Sequence, residues 1–210
     1  MDKIKGSIST WVKLVENHPE INLNQKFEAI LNLFLVLNEK TVLKSIFFLE
    51  LVRFLQAAKQ LKEVMIQQVR DIATVSQNWY LTKDERIDLY VKSAQALETE
   101  QDTQGAFKVY FQAFKLIDSL GVKDKKALNM SAQNLVINAL KSQEIINLEE
   151  VMILESVKDL KNTSKEVFSL AEFIISSDMA KVSKELDTYN KTIQSHQMTK
   201  ELLLEKKRHI

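Results

Sequence analysis

Three histidines and one pair of adjacent carboxylates are the residues best suited to catalysis or metal binding. His18, His196 and His209 are scattered along the chain and fall near the ends of predicted helices. Metal sites on helices use spacings such as HExxH, and the sequence contains no such pair. Asp84 and Glu85 are adjacent, but no nearby histidine could complete an acid–base pair with them. We therefore predict no metal, no cofactor and no small-molecule substrate, which means a protein that is not an enzyme.

Two short basic clusters are the other candidates for chemistry. The first contains Lys123, Lys125 and Lys126, and the second contains Lys206, Lys207 and Arg208. Such clusters usually form a solvated face or complement the dipole at the C-terminal end of a helix. The alternative is contact with RNA phosphates or with an acidic partner, although no aromatic residues alternate with the lysines to stack on bases. An RNA-binding helical module therefore stays open, and it requires both clusters to lie on one face.

The composition is typical of a folded globular protein. The chain has 210 residues, of which 45% are hydrophobic and 27% are charged, and the formal net charge of +1 gives no general attraction to nucleic acid or membranes. The absence of cysteine excludes disulfides and thiolate chemistry. Neither a signal peptide nor an apolar run of about 18 residues is present, so we expect a cytoplasmic protein without a membrane partner.

The elements that must position these residues are predicted to be helices throughout. Three glycines and one proline are too few for the tight turns of sheets or for phosphate-binding loops. Apolar residues recur at helical spacing, and they predict helices beginning after Asn22 or Asn24 and after Thr41, with a junction near residues 38–40. Residues 61–76 read as one long amphipathic helix. In the helix after Thr41, we expect Phe48 to lie off the buried face.

The stretch NWYLTKDERIDL contains the strongest helix-start signal. Thr82 and Glu85 match a capping box, in which each side chain accepts a hydrogen bond from the other residue's backbone, and Trp79 and Tyr80 are expected to be buried beside it. Asp102 is predicted to begin the next helix and Gly121 to end it. The two helices would form a hairpin of about 40 residues, the size of a HEAT or tetratricopeptide repeat.

Further helix starts are predicted along the rest of the chain. They fall near Asp124, at Asn147, at a second capping box formed by Thr163 and Glu166, near Asp178 and at Thr199. The last helix carries Leu202, Leu203 and Leu204 in succession. We expect these leucines to need cover from a partner or from further chain beyond Ile210.

Two segments carry a resemblance to a known family. Trp79, Leu81, Thr82 and Tyr90 match a Trp-x-Leu-Thr segment that opens a helix rich in Leu and Tyr. A later element is matched by Glu149, Val151, Met152, Leu154, Val157, Lys158 and Leu160. In order and spacing, from about Asn24 onward, the chain resembles subunit m of the eukaryotic translation initiation factor 3 complex, a member of the PCI domain family. Ser156 stands where that family often has proline.

The resemblance implies an all-α, right-handed solenoid of antiparallel helix pairs that fills residues 1–210 as one domain. It also implies that the winged helix of a PCI domain lies beyond residue 210 and is absent here. The implied function is a non-catalytic scaffold that contacts other initiation factor 3 subunits and the small ribosomal subunit and supports mRNA recruitment. A PCI subunit of the proteasome lid or the signalosome, with the same fold, is the alternative.

Overall fold

The computed structural model describes residues 2–37, 43–121, 128–144 and 147–210, and for residues 2–5 the backbone alone. Within these ranges every regular element is a helix, as the sequence predicts. The predicted helix starts at Thr41 and near Asp124, and the junction at 38–40, lie outside the described residues. The chain divides into two compact units, residues 1–101 and 102–210. The single domain over residues 1–210 stays a prediction.

The first unit contains seven helices in its described part. They are α1 (Asp2–Asn17), α2 (Leu23–Val36), α3 (Leu43–Ala57), α4 (Leu61–Val64), α5 (Ile66–Arg70), α6 (Ile72–Val75) and α7 (Lys83–Thr99). Helix α3 is central, since it packs against α1, α2 and α7. The capping box predicted at the start of α7, Thr82 with Glu85, is confirmed. Of the two caps considered for α2, Asn22 is the one used, and it forms a capping box with Gln25 that the sequence analysis did not predict.

An aromatic cluster forms the core beside α3. The rings of Phe34, Phe48 and Trp79 contact one another, with centroids 5.7 to 6.1 Å apart. Phe48 is only 1% exposed, so the prediction that it lies off the buried face is wrong. Helix α3 buries apolar residues both against α2 and against the rest of the unit, whereas the sequence analysis followed a single apolar stripe along the helix. Tyr80 is also misplaced by the sequence analysis, because it is 76% exposed.

Residues 61–76 form three short helices, α4 to α6, where the sequence predicts one long helix. The backbone leaves helical geometry at Met65 (φ −135°, ψ 4°) and at Asp71 (φ −97°, ψ 23°). β-Branched residues such as Val64 and Ile66 lower the helical propensity around the first break. Most of the predicted apolar face remains, because Leu61, Met65, Val69 and Ile72 are buried. Val64, which was also predicted on that face, is 40% exposed, and Val75 is half-buried.

The second unit contains nine helices and one 3₁₀ turn in its described part. They are α8 (Thr103–Leu120), α9 (Asn129–Lys141), α10 (Leu148–Met152), α11 (Glu155–Lys158), α12 (Leu160–Thr163), α13 (Lys165–Ser176), α14 (Met179–Glu185), the turn Leu186–Tyr189, α15 (Asn190–Ser195) and α16 (Lys200–His209). Helix α9 is central and packs against α8, α10 to α13 and α16. Its apolar residues, from Leu135 to Leu140, are buried together with Tyr110, Phe114 and Ile117 of α8.

Most predicted helix ends in this unit are confirmed. Asp102, Asn147, Asp178 and Thr199 each accept a hydrogen bond from a backbone N–H in the first turn of the helix that follows. Gly121 ends α8 with a φ of 59°, a left-handed conformation that glycine adopts without strain.

The second predicted capping box is wrong. Thr163 is the last residue of α12, and its hydroxyl donates to the carbonyl oxygen of Asp159 in the preceding turn. The N-cap of α13 is Ser164, which makes no capping hydrogen bond because its hydroxyl donates to Gln133 of α9 instead. A tertiary partner has displaced the local pairing that the sequence pattern favours.

Candidate functional site

The basic cluster of α16 does not form an exposed surface. Lys206 is fully buried, and its Nζ donates to the backbone oxygen of Ser142 at 2.7 Å. Lys207 is half-buried, and its Nζ donates to the backbone oxygen of Ile175 at 3.1 Å. Arg208 is exposed. Lys206 therefore cannot make the RNA or acidic-partner contact predicted for it in this fold, because its amino group points into the unit.

The first basic cluster, Lys123, Lys125 and Lys126, lies outside the described residues. Whether it converges with α16 on one face, as the RNA-binding alternative requires, stays a prediction. The sequence analysis considered the α16 lysines only as a complement to the dipole of α16 itself. In the structure Lys206 and Lys207 complement the C-terminal ends of two other helices, α9 and α13.

The three leucines of α16 differ in their surroundings. Leu203 is fully buried where α16 packs against α9, α13 and α14, so the expectation that it needs a partner is wrong. Leu202 and Leu204 are half-buried. The successive leucines point in different directions around the helix, and the unit already covers the middle one.

His196 belongs to a polar cluster that joins α9, α13 and α15. Its Nε2 lies 3.4 Å from Nε2 of Gln133, and the hydroxyl of Ser164 donates to Oε1 of Gln133 at 2.8 Å. Burial lowers the pKa of His196 below its ordinary value, the charge of Lys141 lowers that pKa further, and Glu166 opposes both effects. The Gln133 amide separates the serine from the imidazole, so this arrangement is not a nucleophile with its base.

Asp118 near the end of α8 holds the start of α11. Its carboxylate accepts hydrogen bonds from the backbone N–H of Glu155 at 2.7 Å and of Ser156 at 3.2 Å, and also from the Ser156 hydroxyl. A proline at position 156 has no N–H to donate and no hydroxyl. Ser156 therefore supplies two donors to this contact that a proline could not supply.

A groove of about 460 Å³ lies between α3 and α7 in the first unit. Its charged side chains pair with neighbours in the same unit. Arg53 donates to Glu50 at 2.9 Å and to Glu16 at 2.7 Å, and Lys92 contacts Asp88 at 2.8 Å. These ion pairs engage most of the charged side chains that line the groove, so its geometry favours a packing surface over a site that stabilises a charged substrate.

The second half of α2 exposes apolar residues. Leu33 is 39%, Leu35 is 61% and Val36 is 83% exposed, although they follow one another within the last turn of the helix. The opposite side of the same turn is covered through Phe34, which contacts Phe48 and Trp79. A last turn that carries apolar residues on its exposed side as well as on its covered side is the feature expected of a docking surface. We call Leu33, Leu35 and Val36 the α2 patch.

The sequence analysis did not predict the α2 patch, the hydrogen bonds of Asp118 to the start of α11, or those of Lys206 and Lys207 to the ends of α9 and α13. The run ILNLFLVL was a usable signal for the patch, since its apolar residues are too closely spaced to fit one face of a helix. No local signal existed for Asp118 or for the lysines of α16, because their partners lie 37 and 32 to 64 residues away along the chain.

The described residues offer neither a metal-binding cluster nor a membrane-spanning helix. No group of three or more histidine, aspartate or glutamate residues in the described ranges is placed to hold a metal ion. None of the described helices has the length and apolar character that crossing a membrane requires. Comparisons with protein-family models, with curated proteins and with solved structures found no match to this chain.

Proposed function

We propose that this protein is a non-catalytic scaffold subunit of initiation factor 3, with a right-handed PCI-type helical solenoid as its fold. It would contact other subunits of that complex and the small ribosomal subunit in the cytoplasm and so support mRNA recruitment. The resemblance at Trp79, Leu81, Thr82 and Tyr90 and over residues 149–160 supports this proposal. The all-helical architecture is compatible with it.

The observation that most favours a docking role is the α2 patch. Val36 and Leu35 are large apolar side chains. Their removal from water by a partner would lower the free energy by roughly 25 cal/mol for each Å² of apolar area buried. They follow Ile30, which is fully buried, so the partner would bind beside an ordered core and not on an isolated loop. Interfaces between subunits need such rigid apolar centres.

The groove between α3 and α7 adds support for a structural role. Its lining charges are engaged in the pairs Arg53 with Glu50 and Lys92 with Asp88. Side chains engaged in this way within the unit are compatible with a scaffold, because they leave no charged group directed at a substrate.

The test is affinity purification of the protein from the cells that express it, followed by mass spectrometry of the proteins that accompany it. The informative variant carries Leu35→Glu and Val36→Glu, which place two charges in the α2 patch. Met130→Glu is the matched control, because Met130 of α9 is 75% exposed and its replacement also adds a charge at an exposed apolar position. Circular dichroism establishes that both variants keep the helical content of the wild type.

We expect initiation factor 3 subunits and small ribosomal subunit proteins with the wild type and with Met130→Glu. The double variant should lose the subunit that docks on α2 while keeping its fold. Recovery of proteasome lid or signalosome subunits would assign the chain to the alternative PCI complex. Recovery of RNA, with binding that weakens steeply as salt is added, would instead favour the RNA-binding module.

A further inference from the structure

One side of α2 is exposed along almost the whole helix. The exposed residues that share this side are Gln25, Glu28, Asn32, Leu35 and Val36. Their spacing of three or four residues, with Val36 next to Leu35, places them on one face of the helix. This face rises about 16 Å along the helix axis, is polar toward its N-terminal end and ends in two members of the α2 patch. We call these five residues the outer face of α2.

Both ends of α2 are fixed by contacts within the first unit. At the N-terminus, Asn22 and Gln25 form the capping box. At the C-terminus, Nζ of Lys44 donates to the backbone oxygen of Leu37 at 3.1 Å and lies 5.2 Å from the centre of the Phe34 ring, on the covered side of the helix. A partner therefore meets a helix that is already ordered, and little conformational entropy is lost when it binds.

The outer face carries one charge, and that charge is negative. Glu28 is exposed, and its carboxylate pairs with no cation in the described part of the chain. The basic residue of the same helix, Lys26, points elsewhere, since its Nζ donates to the backbone oxygen of Glu16 at 2.6 Å. Glu28 lies seven residues before Leu35, which is two turns or about 10 Å along the same face. A complementary partner thus needs an apolar group and a cation at this separation.

These features favour a helix of a different protein as the occupant. The described residues contain no strand whose edge could pair with an extended segment, so a partner packs against helix side chains. A second copy of this chain that paired through the same face would bring no basic residue to it. Symmetric pairing would therefore leave Glu28 without a cation.

We propose that the outer face of α2 binds an amphipathic helix of a partner protein. Apolar side chains of that helix cover Leu35 and Val36, and a lysine or arginine two turns away pairs with Glu28. This inference rests on the proposed docking role of α2 and specifies what docks there. Apolar burial supplies most of the affinity, and the ion pair sets the direction of the partner helix, because the reversed helix places its cation beyond Val36.

Charge reversal in the full chain tests the ion pair. Glu28→Lys is the test variant, and Glu172→Lys is the matched control, because Glu172 is an exposed carboxylate on α13 of the second unit. Affinity purification with quantitative mass spectrometry should show about tenfold or lower recovery of the partner with Glu28→Lys, since two cations then face each other. Glu172→Lys should recover the partner like the wild type. Circular dichroism establishes that both variants keep their helical content.

Photochemical cross-linking identifies the segment that binds. Asn32, at the centre of the outer face, is replaced by p-benzoylphenylalanine in the protein expressed in its own cells, and Gln194 of α15 is the exposed control position. The peptide cross-linked at position 32 should show apolar residues at helical spacing and a lysine or arginine two turns from them. Replacing that basic residue by glutamate should restore the partner's binding to Glu28→Lys.

The possible outcomes separate this inference from the proposed function. A cross-linked segment without that basic residue, a second copy of this chain at position 32, no cross-link there, or unchanged recovery with Glu28→Lys overturns the inference. If initiation factor 3 subunits are still recovered in these cases, the proposed function stands without it. A basic amphipathic helix from a protein outside that complex would support the inference and contradict the proposed function.

Discussion

The two units hold their helices together in different ways. In the first unit, aromatic and local contacts include the ring cluster of Phe34, Phe48 and Trp79 and the guanidinium of Arg86, which donates to the carbonyls of Ser76 and Trp79 within ten residues. The amide of Gln56 also reaches the carbonyl of Ala96 near the end of α7, 40 residues away. In the second unit, side chains from distant helices bond to exposed helix ends. Both units have apolar cores and long-range polar contacts at helix ends, and they differ in that the second unit buries the ammonium group of Lys206 at such an end.

The largest effect that tests this comparison concerns Trp79. Removing its ring in Trp79→Ala leaves a cavity beside Phe34 and Phe48, and we expect the free energy of unfolding to fall by about 3 to 5 kcal/mol. Urea denaturation measures the change. Tyr80→Ala is the control at the next position, and because Tyr80 is exposed it should cost less than about 0.5 kcal/mol. Equal losses at both positions would show that the aromatic cluster does not form the core.

The polar counterpart in the second unit is Asp118. Asp118→Ala removes the acceptor of the Glu155 and Ser156 backbone N–H groups and of the Ser156 hydroxyl. Hydrogen bonds to a charged group are worth about 1.5 to 3 kcal/mol in total when such a partner is deleted, so we expect a loss of about 2 kcal/mol. Thermal unfolding measures it. Asp118→Asn, which keeps the side-chain volume and one acceptor oxygen without the charge, should lose less. No loss in Asp118→Ala would show that these hydrogen bonds do not stabilise the unit.

The same comparison explains which parts of the fold can be predicted from sequence. Helix starts with a local partner are visible in four consecutive residues: the box of Thr82 with Glu85 was predicted and is confirmed, and Asn22, one of two caps considered for α2, pairs with Gln25 in the same way. The start of α13 is different. Ser164 bonds to Gln133 of α9, 31 residues away, and no local pattern records that contact.

The candidate site follows the same rule. The basic character of Lys206 and Lys207 is evident in the sequence, but their direction depends on where the ends of α9 and α13 lie. Those positions are set by the packing of helices that are far apart in the chain. Phe48 was misassigned for a related reason, since the helix that covers its ring, α2, meets α3 on a side that one apolar stripe does not indicate.

The charge on Lys206 gives the second unit a pH dependence. The amino group has a pKa of about 8 in the folded protein against an ordinary 10.5, so between these values the unfolded chain binds a proton that the folded protein does not. Unfolding then takes up a proton, and the free energy of unfolding rises with pH in this range. Below pH 8 both states are protonated and the full cost of the buried charge is present.

Lys206→Met isolates this contribution, since methionine has no charge to titrate. From pH 7 to pH 9 the free energy of unfolding of the wild type should rise relative to that of Lys206→Met by roughly 1 to 2 kcal/mol. Urea denaturation of both proteins across the range measures the difference. Arg208→Met is the control, because it removes a charge at an exposed position of the same helix and should leave the slope of the wild type unchanged. A constant difference between wild type and Lys206→Met would mean that Lys206 is solvated.

The smallest effect compares a confirmed cap with one that the sequence predicts wrongly. Thr82→Ala removes the hydroxyl that accepts from the Glu85 N–H at 3.3 Å, and it should lower the free energy of unfolding by about 1 kcal/mol. Thr163→Ala is the matched control, because its hydroxyl bonds within its own helix, and the change should be less than about 0.5 kcal/mol. Urea denaturation of both variants in parallel resolves the difference. If Thr163→Ala costs as much as Thr82→Ala, then Thr163 caps α13 in solution and the bond between Ser164 and Gln133 does not determine where that helix begins.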